Sequence, residues 1–186
     1  IRNPAEQIES TLHFMGQINP DALAKYNFYV PVATDLLSAN SLVKKLYASG
    51  SAAHLHSWAH HLCKPNYFLL HYTDLKREPE KWMRKIAHFI GETDIPEEAW
   101  PGIMERVSFN WMKERSDKFL YQLPWFNVTL TKQIVREGNS GGKPTFVTEE
   151  LKQWLESELR ATLPKSIVDY AYNGGEFHGL NDFCKL

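Results

Sequence analysis

The chain has 186 residues, 43% apolar and 13% aromatic, with 21 Lys and Arg against 22 Asp and Glu. That length and apolar content suit one domain with a proper core and exclude intrinsic disorder. The near-neutral balance excludes nucleic-acid binding through bulk positive charge, so any bound anion must be held by a local site. The longest apolar runs, such as Tyr67 to Leu70, fall far short of the roughly 20 residues of a membrane span. No nucleic-acid and no membrane partner is expected. Two cysteines, Cys63 and Cys184, make no disulfide framework; they put a reducing compartment first and leave a single bridge open. The sequence begins at Ile1 without an initiator Met or a signal peptide, which points to a piece of a longer protein. The sequon Asn127-Val128-Thr129 is read as a chance match.

In chain order, Ile1 reads as the end of a strand. A helix follows from about Pro4, with Ile8, Leu12 and Met15 at helical spacing and Pro4 suited to a first turn. A second helix is expected over Asp35 to Tyr47, with Leu36, Leu37, Val43, Leu46 and Tyr47 as its apolar stripe and Gly50 as its stop. A third covers Ser51 to about Leu62. The run Asn66 to Tyr72, preceded by a Lys-Pro-Asn turn, reads as a short buried strand. From Pro79 to Ile90 the residues Trp82, Ile86, Phe89 and Ile90 share one helical face, and Gly91 ends the helix. The last clear helix is capped by Thr148, carries Glu149 and Glu150 in its first turn, and ends before Pro164. Its inner face is Leu151, Trp154, Leu155, Leu159 and Leu163. A buried strand between amphipathic helices is the pattern of an α/β layered fold.

Two places could hold an anion. A strand turning through Arg2-Asn3-Pro4 into a helix sets a guanidinium at the carboxyl edge of a sheet, where α/β proteins bind ligands. Ser10, a little over two turns along, could share that ligand if Arg2 extends alongside the helix. The second place is Arg136-Glu137-Gly138-Asn139-Ser140-Gly141-Gly142-Lys143, where backbone N–H groups could form a nest and an arginine could clamp phosphate bidentately. Either alone is equally well a surface turn. His54, His56, His60 and His61 include an i, i+4 pair, but no complete ligand set accompanies them and no metal is expected. His71 and His88 read as structural.

The order and spacing of four motifs decide more than any one of them. Arg2-Asn3-Pro4 with Ser10, Tyr72-Thr73-Asp74-Leu75-Lys76 leading into a Pro79-initiated helix, Ser108-Phe109 with Met112-Lys113, and Arg136-x-Gly138-x-x-Gly141 together resemble the carboxyl-terminal two-thirds of the PAPS-dependent sulfotransferases. The resemblance implies an α/β, P-loop-like three-layer fold with a parallel sheet flanked by helices, whose amino-terminal strands are missing from this chain. Residues 1–186 would then be the carboxyl-terminal part of a single sulfotransferase domain. It further implies transfer of a sulfuryl group from 3′-phosphoadenylyl sulfate (PAPS) to a hydroxyl or amine of a small-molecule acceptor, leaving 3′-phosphoadenosine 5′-phosphate (PAP). Arg2, Ser10, Arg136, Glu137 and Gly138 fall at the 3′-phosphate positions, Phe109 at the stacking position for the purine, and Met112 beside it.

This sequence also departs from the family. Glu137 replaces a usual lysine, Gly142-Lys143 replaces an Asp-Trp pair after Gly141, and Ala52 and Ala53 stand where a tyrosine near the adenine is common. The family's phosphosulfate loop and its catalytic histidine would both lie upstream of Ile1, so no catalytic residue is assigned. The chain on its own is expected to be inactive without the missing amino-terminal part of the same protein. The alternative is a catalytically inactive nucleotide-binding or interaction module of the same fold. A cytoplasmic location is expected, with the Golgi lumen as the alternative. A homodimer stays open, since Lys143 to Glu150 partly resembles a short dimer-forming segment of cytosolic members.

Overall fold

The computed structural model describes residues 1–15, 21, 24–25, 40–41, 43–45, 57–59, 61–119 and 146–177. Its regular elements are helices: α1 Pro4–Met15, α2 Tyr72–Arg77, α3 Pro79–Phe89, α4 Trp100–Arg106, α5 Phe109–Glu114, α6 Glu149–Thr162 and α7 Lys165–Asn173. Short 3-10 turns at Glu97–Ala99 and Ser116–Phe119 lead into α4 and follow α5.

α1 and α6 start for local reasons. The Asn3 carboxamide oxygen accepts from the N–H groups of Ala5 (3.0 Å) and Glu6 (3.4 Å), so Asn3 caps α1 and Pro4 loses nothing at its first position. The same side chain donates from Nδ2 to Tyr172 O at 3.3 Å, which ties the start of α1 to α7. Thr148 accepts from Leu151 N at 3.2 Å and caps α6 as expected. α6 buries Leu151, Leu155 and Leu159, the expected inner face, and Leu163 just past its end is buried too.

Two clusters form the core. Ala5, Leu12, Val43, Val147 and Leu151 make the first; Ala59, Leu155, Leu159, Leu163, Ile167 and Val168 make the second. Ile8 and Trp154 pack against both, so α1 and α6 contribute to both clusters. Of the two expected helices Asp35 to Tyr47 and Ser51 to about Leu62, residues 40–41, 43–45 and 57–59 are helical, His61 and Leu62 are already in a turn, and the remainder lies outside the described residues.

The expected strand at Asn66 to Tyr72 is corrected. Residues 67–71 have no regular structure, with His71 extended, no strand is formed among the described residues, and Tyr72 is already the first residue of α2. The chain turns into the helix there because the His71 ring accepts from Thr73 N (3.3 Å) as an N-cap. Extended backbone becomes a strand only where a neighbour supplies a ladder, and here one register position does so: Ile1 N donates to Leu70 O at 2.5 Å and Tyr72 N donates to Ile1 O at 2.7 Å. That alternation is the pattern of a parallel pair with Ile1 opposite His71.

The apolar face of α3 is also less covered than its periodicity suggests. Phe68 meets Trp82 and Phe89 (ring centroids 6.3 and 5.1 Å), yet Phe89 is 38% and Ile90 65% exposed. His88, expected to be structural, is exposed and helps to line an open hollow with Phe68, Arg84, Lys85 and Phe89. Cys63 is disulfide-bonded, so the preference for reduced cysteines gives way to the bridge that was left open. Cys184 lies outside the described residues.

α7 is locked to α2 by buried polar groups. His71 and Asp74 are both wholly buried. His71 donates from Nε2 to Ala171 O at 3.0 Å, and Asp74 accepts from Arg77 Nη2 and from Gly175 N, both at 2.6 Å. Tyr170 stands edge-on to His71, and burial, with the Asp74 carboxylate adding to it, raises its phenol above the ordinary value of 10.0. The folded protein therefore holds this proton more tightly than the unfolded chain. Stability from this group is full below pH 10 and is lost above it, by at most about 1.4 kcal/mol per pH unit. Denaturant midpoints followed across alkaline pH should fall less steeply in Tyr170→Phe; equal slopes in both proteins would contradict this.

Candidate nucleotide site

Arg2 lies just before the Asn3 cap, and its side chain runs back along the first turn of α1. Its Nε is 3.4 Å from Glu6 Oε2, and its guanidinium carbon lies 5.0 Å from the centre of the Tyr72 ring. The recorded ion pair uses Nε alone, which leaves the two terminal nitrogens as a fork for an oxyanion. Glu6 and Ser10 are four residues apart on one face of α1, and Arg2, ahead of the helix, pairs with Glu6 at its first turn. Ser10 is exposed. The Arg2 side chain thus lies beside the first turn of α1, with Glu6 as a local competitor for its guanidinium.

Phe109 opens α5. Ser108 accepts from Trp111 N at 3.2 Å and caps that helix, which gives the serine of the Ser-Phe pair a structural duty. Phe109 and Met112 are half-buried and lie three residues apart, on one side of α5. Two ammonium groups stand over the Phe109 ring: Lys76 Nζ at 5.9 Å and Lys113 Nζ at 5.4 Å from its centre. Each contact at such an exposed place is worth about 0.5–1 kcal/mol.

The two halves of the site meet through α2. Tyr72 and Lys76 are four residues apart and share a face of that helix. Tyr72 carries Arg2 at one end, and Lys76 reaches Phe109 at the other. Arg2 and Phe109, over 100 positions apart in sequence, are thereby brought to the same side of one short helix. Tyr72, Lys76 and Lys113 were not singled out by the sequence reading. Their signal was available, because Tyr72 and Lys76 open and close the Tyr-Thr-Asp-Leu-Lys motif and Lys113 ends the Ser-Phe-x-x-Met-Lys motif.

Arg136, Glu137 and Gly138 lie outside the described residues, as do His54, His56 and His60. His61 stacks on Tyr67 (5.1 Å, 12°) beside Trp58. Among the described residues no group of three or more His, Cys, Asp or Glu side chains is placed to hold a metal ion, and no helix is long and apolar enough to cross a membrane.

Arg2 and Phe109 stand at the two ends of one face of α2. The chain belongs to the sulfotransferase family: the sulfotransferase-domain profile matches residues 1–165. Over 120 residues it is 35% identical to Sulfotransferase 2A1 of Macaca fascicularis and 32% identical to Sulfotransferase 2A1 of Homo sapiens. The matched stretch is 63% of this chain and 42% of each relative, so it spans about two fifths of their length. No solved structure gives a significant match.

Proposed function

We propose that the whole protein transfers a sulfuryl group from PAPS to a hydroxyl or amine of a small-molecule acceptor, and that these 186 residues carry its 3′-phosphate and adenine site. The observation that carries this reading is the gathering of Arg2 and Phe109 along one face of α2, through Tyr72 and Lys76. A dianionic phosphate calls for an arginine fork and a hydroxyl, and Arg2 and Ser10 offer both. A purine calls for an aromatic face, which Phe109 offers with Met112 beside it. Arg136, with the backbone around Gly138, is the second clamp in this reading.

The donor supplies the sulfuryl group: the acceptor oxygen or nitrogen bonds to sulfur, the bond from sulfur to the 5′-phosphate oxygen breaks, and the acceptor proton leaves to a base. No residue of this chain is assigned as that base. The residues named here bind and orient the nucleotide, and turnover by this chain alone is not expected. The register of Ile1 against His71 supports the parallel sheet of a P-loop-like fold, and the disulfide at Cys63 supports an oxidising lumen over the cytoplasm.

Calorimetric titration with PAP and with adenosine 5′-monophosphate, which lacks the 3′-phosphate, tests the assignment. Charge-assisted bonds to the 3′-phosphate are worth about 1.5–3 kcal/mol each, so PAP is expected to bind at least about tenfold tighter. Equal affinity for the two nucleotides would remove the 3′-phosphate site.

A further inference from the structure

Phe109 is distinguished from every other ring among the described residues by having cations from two different elements over it, Lys76 from α2 and Lys113 from α5. Arg2, Lys44, Arg84, Lys85 and Arg115 each stand alone over theirs. Both lysines are exposed, and neither has an acidic partner among the described residues. A purine that stacks on the Phe109 ring competes with both ammonium groups for its π-surface, and a cation displaced from the ring needs another partner.

We propose that Lys76 and Lys113 are nucleotide-binding residues: when the purine stacks on Phe109, both ammonium groups leave the ring and pair with the phosphate groups of the same nucleotide. This rests on the adenine assignment made above and deepens it. The exchange is favourable because a charge-assisted contact to phosphate is stronger than an exposed contact to a ring face. Lysine suits the task, since its four-carbon stem swings between two positions and its three donors need no fixed plane. In the absence of nucleotide the two ammonium groups keep the half-buried ring covered, and on binding they add charge to a protein whose overall balance provides none.

The test titrates PAP into the unsubstituted protein, Lys76→Met, Lys113→Met and the double variant, at low and at high salt. Methionine keeps the apolar stem and removes the charge. Each single variant is expected to lose about threefold in affinity, and the double variant about tenfold with a visibly flatter salt dependence. Lys76→Arg and Lys113→Arg should recover most of the loss, which a merely structural role for the stems would not require. Unchanged or tighter binding by the double variant, while Arg2→Ala still weakens PAP, overturns this proposal alone. Failure of the unsubstituted protein to bind PAP overturns it together with the adenine assignment.

Discussion

Gly174→Ala is expected to lower stability by roughly 4 kcal/mol and the melting temperature by about 10 °C. Gly174 has φ +67° and ψ −151°, a region that is essentially closed to residues with a Cβ and costs about 1–3 kcal/mol when forced. An added Cβ would sit 2.6 Å from Asp74 Oδ2, 2.9 Å from His71 Nδ1 and 3.1 Å from Asp74 Cγ. None of these atoms is the loose end of a flexible side chain. Asp74 is held from two sides by Arg77 and Gly175, His71 is held by Ala171 O and Thr73 N, and both are fully buried. Relief therefore requires breaking at least one buried polar contact, at a further cost of about 1–3 kcal/mol. For a chain of this length each kcal/mol moves the melting temperature by about 2–4 °C. Gly91→Ala is the control: φ is +89° there too, but nothing lies within 4 Å of the added carbon, so only the backbone cost should appear. Thermal melts followed by circular dichroism decide the matter, and a Gly174→Ala melt no lower than that of Gly91→Ala would show that the clamp between α2 and α7 is not rigid.

That clamp also shows where the sequence was readable and where it was not. The starts of α1 and α6 and the end of α3 carry local punctuation, with Asn3-Pro4, Thr148 and Gly91 acting through bonds within a few residues, and their apolar stripes repeat over enough turns to be seen. α2 carries no such signal. Its cap is a histidine ring whose other nitrogen is committed to Ala171, 100 residues away, and the four-residue apolar run Tyr67 to Leu70 before it is compatible with strand or helix alike. α4 and α5 are too short to establish a period. α7 carries its signals in Pro164 and Gly174 with Ile167, Val168 and Ala171 between them, a stripe shorter than those of α1, α3 and α6. The site divides in the same way. Arg2, Ser10, Phe109 and Met112 are legible as candidates because motif spacing survives in one dimension. Tyr72, Lys76 and Lys113 matter through contacts between α1, α2 and α5, and the packing that makes those contacts is not written in any local pattern.

Arg2→Ala is expected to weaken PAP binding about 100-fold while leaving the fold nearly as stable as before. The two expectations separate because the present partners of Arg2 are weak. Its pair with Glu6 is 3.4 Å long, with both side chains more than a quarter exposed, and such pairs contribute about 0–1 kcal/mol. Its position over Tyr72 adds a similar amount. A bidentate, charge-assisted clamp on the 3′-phosphate is a larger quantity, about 3 kcal/mol, and at about 1.4 kcal/mol for each factor of ten that is the predicted loss in affinity. Arg2→Lys should recover little of it. An ammonium keeps the charge but loses both the fork and the planar face that lies over Tyr72. Calorimetry with PAP and a parallel denaturation curve separate these effects. Unchanged affinity in Arg2→Ala would take the phosphate away from the start of α1. A fall in stability as large as the fall in binding would make Arg2 a structural residue in place of a ligand-binding one.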